Sequence, residues 1–392
     1  MATNSQSSHT TTLISKLQTT ASNSQNIEHD EATRATLLQL SRELTASLQA
    51  PDEGGAFMCV RLADELRLFD LLCEQSPRTT VSLAEISGAE HGLVVRVLRT
   101  LAGMGFVAQL DSGEYGPTAV TRQMTMRSVR AGDKFFHEES LPSVRQAPEY
   151  FRQNGRRLPR SMTDGPYQFA EGTGDDPFTW MSKKPGAMEN FNVFMQGLFG
   201  TPARLGWSDW YPVKEQVLDG FDATKGEFCF VDVGGGKGHE CETLLRKYPD
   251  MKGKLVTQDL PFVIDDIQDL DPRVEKMNHD FTKPQPIKGA RAYFLQNILH
   301  NWATSVCETI LANLKSAMVP GYSKLLIGNI VLADTDVPLR QSLLDISMLV
   351  LHSGQQRSRS EFTELLEGAG FKVVKIWVPP GDGDGIVEAE VV

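Results

Sequence analysis

The chain has 392 residues, a net charge of −11 and a globular composition, with 40% hydrophobic and 23% charged residues. Because one compact core rarely holds this many residues, we expect at least two domains. The acidic charge repels phosphate backbones, and no segment approaches the roughly eighteen apolar residues that span a bilayer, so we expect neither nucleic acid nor a membrane as partner. The N-terminus lacks the basic and then apolar pattern of a signal peptide, so we expect a cytoplasmic protein. The five cysteines show no CxxC spacing, which predicts free thiols and no metal site.

The N-terminal third predicts a tail followed by a helical domain. Residues 1–30 are rich in Ser, Thr, Asn and Gln, which is typical of a disordered tail. Residues 31–130 predict a helical, winged-helix-like domain, because amphipathic segments at 83–86 and 94–101 precede a short strand and a turn at 106–114. Such a module can bind DNA or join two subunits. The acidic charge of the chain favours a dimerisation domain.

Residues 131–220 predict a helical linker and substrate-pocket region, because they combine helical patterning with many aromatic and Met side chains. Most such residues build a core, but aromatic and Met walls also suit a flat organic molecule. Two of the candidates are histidines, and each can equally be an ordinary packing residue. The candidate pocket residues are His137, Trp180, Phe191 and Met195, with Met348 and His352 from a later helix.

From about residue 221 to 392 the pattern changes to alternating strands and helices. Short apolar runs that suit buried strands are separated by helix-like segments, as a doubly wound α/β sheet requires. The runs lie at 228–233, 254–257, 292–295, 324–327, 371–376 and 385–391.

A glycine loop follows the first of these strands and opens a helix. Gly234, Gly236 and Gly238 are spaced G-x-G-x-G, with Gly235 between them, whereas a dinucleotide site would have G-x-G-x-x-G. Asp232 stands just before the loop, where an acid would repel a pyrophosphate but suits a cationic amino-acid ligand. The pattern favours a cationic nucleoside over a dinucleotide.

Two later segments supply partners for an adenosine. Asp259 ends the second strand about 20 residues past the loop, where a carboxylate can accept both ribose hydroxyls. Its alternative is an ordinary surface carboxylate. Asp280 and Phe281 follow and are able to hydrogen-bond and cover an adenine.

Taken together, these motifs resemble the class I S-adenosylmethionine (SAM)-dependent small-molecule O-methyltransferases of plants and fungi, most closely the fungal secondary-metabolism branch and its pericyclase-like relatives. The resemblance implies an N-terminal helical, winged-helix-like dimerisation domain, a Rossmann-like α/β domain with a mostly parallel seven-stranded sheet, SAM as cofactor and a homodimer. The motifs are Asp232–Gly238, Gln258–Pro261, Asp280–Phe281, Ile298–Trp302 and Glu361–Phe362. The cofactor-binding residues so implied are Asp232, Gly234, Gly235, Gly236, Gly238, Asp259, Leu260, Asp280, Phe281 and Gln296, the last standing where plant relatives often carry Lys.

His300 lies just after a strand, at the edge of the sheet where α/β enzymes place their chemistry. A neutral imidazole suits proton removal near pH 7. The resemblance implies that His300 is the general base and that two acidic residues flank it. By position these are Asn329 and Gln356 here, and an amide cannot stabilise an imidazolium as a carboxylate does. Either the acceptor is acidic enough to need little help, or the chemistry has changed.

Three functions are therefore compared. The first is SAM-dependent methyl transfer to a hydroxyl of an aromatic or polyketide-like secondary metabolite, which the retained His300 favours. The second is a SAM-binding pericyclase or cyclase that dehydrates and closes rings without methyl transfer, with the sulfonium as a fixed charge; the two amides favour it. The third, a regulator that binds DNA or a partner protein, is disfavoured by the acidic charge. The sequence does not specify the acceptor, its regiochemistry or the pathway.

Overall fold

A computed structural model describes residues 2–22, 33–34, 36–37, 40–41, 56–111, 113–199, 206–379 and 383–392. Its contacts divide the chain into two compact units. The predicted domain boundaries, which divide the chain by sequence alone, stay predictions. Unit 1 comprises Met1–Lys16, Leu40–Arg145 and Phe178–Ala203, and unit 2 comprises Leu17–Gln39, Gln146–Pro177 and Arg204–Val392.

Helix α1 (Ala2–Ser22) lies where the sequence predicts a disordered tail. Ser, Thr and Gln dominate this helix, and that composition is what led to the prediction of a tail. The rest of the tail, 23–30, lies outside the described residues, as does most of the helical segment expected from residue 31 onward.

Unit 1 contains the winged-helix-like module that the sequence predicts. Three short strands form an antiparallel sheet in the order β1-β3-β2. Thr79 starts the first helix of the module, since its side chain accepts a hydrogen bond of 3.1 Å from the backbone N–H of Ser82. The module consists of β1 (Arg78–Thr79), α4 (Thr80–Ser87), α5 (His91–Gly103), β2 (Val107–Gln109) and β3 (Glu114–Pro117).

Further helices flank this module and continue along the chain. One of them, α2, packs on α5, and buried side chains of α2, α3 and α5 share one core that includes the fully buried Leu68, Phe69 and Leu98. In chain order the helices are α2 (Ala56–Glu65), α3 (Leu68–Glu74), α6 (Ala119–Met124), α7 (Arg127–Phe135), a π-helix (Phe136–Ser140), α8 (Leu141–Gln153), α9 (Pro166–Glu171), α10 (Pro177–Lys183) and α11 (Ala187–Phe199).

Unit 2 is built on a seven-stranded sheet in the order β11-β12-β8-β7-β4-β5-β6. Five neighbouring strands, from β8 to β6, are parallel, and β12 runs antiparallel to both of its neighbours. The six predicted strands are confirmed, and β6 was not predicted. The strands are β4 (Phe228–Val233), β5 (Lys254–Asp259), β6 (Val274–Asn278), β7 (Ala292–Gln296), β8 (Lys324–Asn329), β11 (Phe371–Trp377) and β12 (Gly385–Val391).

Helices cover both faces of this sheet. Buried side chains of α16 and α18 pack on one face, and those of α12 and α14 pack on the other, so the central strands are buried on both sides. All six residues of β4 are buried. The remaining elements are α12 (Trp207–Trp210), α13 (Val213–Gln216), a 3-10 helix (Leu218–Gly220), α14 (His239–Lys247), α15 (Pro261–Asp265), a 3-10 helix (Leu299–Asn301), α16 (Thr304–Lys315), β9 (Val331–Leu332), α17 (Leu339–His352), β10 (Arg357–Ser358) and α18 (Arg359–Gly368).

The candidate site residues lie where the parallel strands end. The glycine loop follows β4, Asp259 ends β5, Gln296 ends β7 and Asn329 ends β8.

The expectation of free thiols is confirmed, because all five cysteines are unbonded to one another. Among the described residues, none of the helices combines the length and the hydropathy that a membrane crossing needs.

Candidate functional site

The glycine loop turns the chain sharply between β4 and α14. Gly234, Gly236 and Gly238 have φ values of 72°, 57° and 82°, in the left-handed region that favours glycine. The backbone N–H groups of Gly234 and Gly235 donate to the carbonyl of Gln258 at 2.8 and 3.0 Å. These bonds tie the loop to β5 and hold it at the edge of the sheet.

Gly235 lies directly over the side chain of Asp232. A Cβ at position 235 would meet the carboxyl carbon of Asp232 at 2.4 Å and Oγ1 of Thr257 at 2.7 Å, so only glycine fits. The carboxylate of Asp232 is fully buried, and neither of its oxygens has a hydrogen-bond partner. Burial, and then the carboxylates of Glu240 and Asp259, raise the pKa of Asp232 far above its ordinary value.

Asp259 joins the end of β5 to the glycine loop. Its Oδ2 accepts a hydrogen bond of 2.9 Å from the backbone N–H of Gly236, and its Oδ1 accepts one of 2.7 Å from Leu260. Burial raises the pKa of Asp259, although these two bonds oppose the shift. A Cβ at Gly236 would meet nothing within 4 Å, so the tip of the loop faces open space.

The segment after β6 lies beside Asp259. The backbone N–H of His279 donates to the carbonyl of Asp259 at 2.9 Å. Oδ1 of Asp280 accepts hydrogen bonds from the backbone and hydroxyl of Thr282, at 2.9 and 2.7 Å. The ring of Phe281 meets the ring of Trp302 edge-on, with the centroids 5.7 Å apart.

Gln296 ends β7, and its side chain is held by a hydrogen bond to Asp384. Its Nε2 donates to Oδ2 of Asp384 at 2.8 Å, whereas its Oε1 is buried without a partner. A Cβ at Gly328 would lie 1.9 Å from that oxygen, so the neighbouring strand needs glycine there. The sequence did not single out Asp384, which precedes the last strand.

His300 occupies a 3-10 turn between β7 and α16, and the loop after α17 packs against it. The backbone N–H of Gln355 donates to the carbonyl of His300 at 2.9 Å. A Cβ at Gly354 would lie 2.1 Å from the same carbonyl oxygen, so glycine permits this approach. Nε2 of Gln356 lies 3.1 Å from Nδ1 of the imidazole. Burial lowers the pKa of His300 to about 4.

The two amides that stand in place of acids differ in position. Gln356 contacts His300, and its backbone N–H donates to Oδ1 of Asp345 at 2.8 Å, while its Oε1 is buried without a partner. Asn329 is fully buried, and neither its Nδ2 nor its Oδ1 has a hydrogen-bond partner. The structure therefore brings Gln356 to the imidazole and shows no hydrogen bond between Asn329 and His300.

Arg357 is a feature of this site that the sequence did not reveal. Its side chain is 2% exposed, and its guanidinium donates to the carbonyls of Leu299 and Trp302 at 3.0 and 3.3 Å. Among the described residues, no carboxylate lies within ion-pair distance of it. Since an arginine beside a helix start usually faces solvent, nothing in its sequence context predicts this burial.

The candidate pocket residues fall in both compact units. In unit 1, Phe191 packs its ring on Phe135 and Phe178, with centroids 5.4 and 5.6 Å apart. In unit 2, His352 is buried, and burial lowers its pKa to about 3. A common pocket stays a prediction. Trp180, Met195 and Met348 are half-buried, and Nδ1 of His137 lies 3.8 Å from Oδ1 of Asp133.

Comparison with known proteins assigns the family. Residues 158–372 match the O-methyltransferase domain, and residues 55–127 match the O-methyltransferase dimerisation domain. The chain belongs to the O-methyltransferase family. The O-methyltransferase asqD of Emericella nidulans is 38% identical over 334 residues, which cover 85% of this chain and 86% of that protein. The family that the motifs predict is thus confirmed.

Two solved structures share the fold over nearly the whole length. The structure of LepI in complex with SAM has a TM-score of 0.83 and 26% identity, covering 98% of this chain and 100% of that one. A pericyclic reaction enzyme has a TM-score of 0.82 and 25% identity, covering 97% and 99%. The predicted Rossmann-like α/β fold with its helical N-terminal domain is confirmed.

Proposed function

We propose that this member of the family is a SAM-dependent O-methyltransferase that acts on a hydroxyl of an aromatic or polyketide-like secondary metabolite. The observation that carries the proposal is the bond between the glycine loop and Asp259. The Gly236–Asp259 contact of 2.9 Å puts a carboxylate beside a loop tip that faces open space. That pairing suits a nucleoside whose sugar is bound by a carboxylate at the strand end.

The residues around the loop fit SAM. Asp232 is a fully buried carboxylate without a partner, and the positive charge of a ligand above the loop would offset its cost. Asp259 and Leu260 would hold the ribose, Asp280 and Phe281 the adenine, and Gln296 the amino-acid part. When bound, SAM supplies an electrophilic methyl group on a sulfonium, which an oxygen nucleophile can take as the C–S electron pair returns to sulfur.

We propose His300 as the group that receives the proton of the acceptor hydroxyl. This role needs the ring proton on Nδ1 and a lone pair on Nε2. The 3.1 Å contact with Gln356 permits it when the amide is turned so that Oε1 accepts from Nδ1, since amide oxygen and nitrogen are assigned from such contacts. His137, Trp180, Phe191, Met195, Met348 and His352 are proposed to line the acceptor pocket.

A second candidate function is a SAM-binding pericyclase or cyclase, in which the ligand's fixed charge stabilises a developing oxyanion. One observation favours it: neither Asn329 nor Gln356 is a carboxylate, so a protonated His300 lacks a counter-charge. The match of the dimerisation domain to residues 55–127 supports a homodimer for either function.

The two functions are separated by following the label of methyl-labelled SAM. The purified protein is incubated with phenolic and polyketide acceptors, and products are analysed by mass spectrometry. Labelled product supports methyl transfer. Rearranged or dehydrated product with unconsumed SAM supports the cyclase and contradicts the proposal.

A further inference from the structure

We propose that the acceptor is an acidic hydroxyl, namely an enolised 1,3-dicarbonyl or a phenol conjugated with a carbonyl group, and that simple phenols and alcohols are poor acceptors. This inference rests on the proposed methyl transfer and narrows its substrate class. Two features at the imidazole of His300 carry it, the contact with Gln356 and the buried guanidinium of Arg357. The third is the unpaired amide of Asn329, which the family resemblance implies beside the base.

The first feature is the lack of a counter-charge at the ring. A carboxylate at Nδ1 would stabilise the imidazolium that forms when the base takes a proton. Here the group at 3.1 Å is the amide of Gln356, which can orient the ring but carries no charge. Among the described residues, no carboxylate forms an ion pair with His300. The ring therefore holds a proton weakly.

The second feature is positive charge near the ring. Arg357 is buried, and its bonds go to backbone carbonyls and to Sγ of Cys307, so its charge is not offset by an ion pair in the described part of the chain. Its field opposes protonation of His300. The carboxylate of Asp345 accepts from the backbone N–H of Gln356, and in the described part of the chain it forms no ion pair with the ring.

The third feature is the set of groups that would surround a negatively charged acceptor. The family resemblance implies that Asn329 flanks the base and so lies near the acceptor. A carboxylate there would repel a negatively charged acceptor, whereas the buried amide of Asn329 has an unpaired Nδ2 that is able to donate. Together with the guanidinium of Arg357, the site contains donors and positive charge but lacks the acids that the family pattern implies. Such a site favours an oxyanion over a neutral hydroxyl.

The pKa values then decide which acceptors can react. Each unit by which the acceptor's pKa exceeds that of the base lowers the population of the proton-transferred pair tenfold. Burial lowers the pKa of His300 to about 4, and a simple phenol has a pKa of about 10, like tyrosine, so the pair would be populated to about one part in 10⁶. The pKa of an acidic enol lies much closer to that of His300, so the proton-transferred pair is populated far more.

The first test measures the ring itself and needs no substrate. Histidine is ¹³C-labelled at Cε1, and the His300 signal, assigned by its loss in His300→Gln, is titrated in the complex with S-adenosylhomocysteine. We expect the ring to stay neutral at pH values well below its ordinary pKa, and Gln356→Glu to raise the titration by at least one unit. A His300 signal that titrates at its ordinary pKa in the unaltered protein would overturn the inference.

The second test uses acceptors of graded acidity. Phenols that differ only in nitro, acyl or fluoro substituents are methylated by wild type, Gln356→Glu and Gln123→Glu, a control that adds the same charge on an exposed helix position. We expect kcat/KM to rise with acceptor acidity in wild type and in the control, and Gln356→Glu to flatten this dependence. Equal rates for weakly and strongly acidic phenols in wild type would overturn the inference while leaving methyl transfer intact. Failure to transfer a methyl group to any acceptor would overturn the proposed function, and the acceptor class with it.

Discussion

Nε2 of Gln356 lies 3.1 Å from Nδ1 of His300, so a neutral amide occupies the position at the imidazole to which the family resemblance assigns a carboxylate. An amide orients the ring without changing its charge. If His300 is the base, as proposed, its ring is held by an amide but lacks electrostatic support when it is charged.

Replacing His300 tests its proposed role directly. We expect His300→Ala to lower kcat for methyl transfer to an acceptor that is still protonated at the assay pH about 100-fold or more, since general bases contribute about this much. SAM affinity should stay unchanged, because the cofactor is proposed to bind at the glycine loop. Single-turnover kinetics with labelled SAM measure the rate, and an unaltered rate would remove the base assignment.

Asp259 is expected to bind the ribose and to hold the loop. Asp259→Ala removes the acceptor of the Gly236 N–H, and the loss of charged hydrogen bonds at about 1.5–3 kcal/mol predicts about 10- to 100-fold weaker binding of S-adenosylhomocysteine. The rise in melting temperature on adding that ligand is the measurement. Asp250→Ala, at an exposed turn, serves as the control and should keep the full rise.

Gly235 offers a test of the loop's close packing. A Cβ there would lie 2.4 Å from the carboxyl carbon of Asp232, so Gly235→Ala must displace the loop. Overpacking of this kind costs about 1–3 kcal/mol, and when the ligand-binding conformation of the loop bears that cost, SAM should bind about 5- to 150-fold more weakly. Gly174→Ala, where a Cβ meets nothing within 4 Å, is the matched control, and equilibrium dialysis compares the two. Equal affinity in both variants would contradict the packing described here.

The free energy of unfolding should fall at acid pH because His300 takes up a proton more readily in the unfolded chain. Its pKa of about 4 in the folded chain is below the ordinary value of 6.5, so the unfolded chain binds the proton more readily. Stability is therefore complete above about pH 6.5 and is lost as the pH falls toward 4. Between about pH 6.5 and 4.5, urea unfolding should show wild type losing about 2 kcal/mol more than His300→Gln. An equal loss in both proteins would show that the ring titrates normally when folded.

The sequence predicted the strands of the large sheet that have a clear apolar run and missed β6. β4 is a continuous apolar run because helices cover both of its sides. β6 (Val274–Asn278) is an edge strand in which only Val274 is buried and which includes Glu and Lys, so its short run resembles a loop.

Those parts of the candidate site that local sequence motifs determine could be predicted. The glycine loop and Asp259 follow from strand ends and from glycine's backbone freedom. The burial of Arg357 and the contact of Thr257 with the loop depend on how distant segments pack, which no local pattern encodes. The amide of Gln356 was expected beside His300 from the resemblance, and the structure places it there.

The claim on which the account depends is that the glycine loop binds SAM, and isothermal titration calorimetry of the full chain measures it most directly. We expect saturable heat with one site per chain for both SAM and S-adenosylhomocysteine, and a large loss of affinity in Asp259→Ala. No heat with either ligand, from protein that circular dichroism shows to be folded, would contradict it.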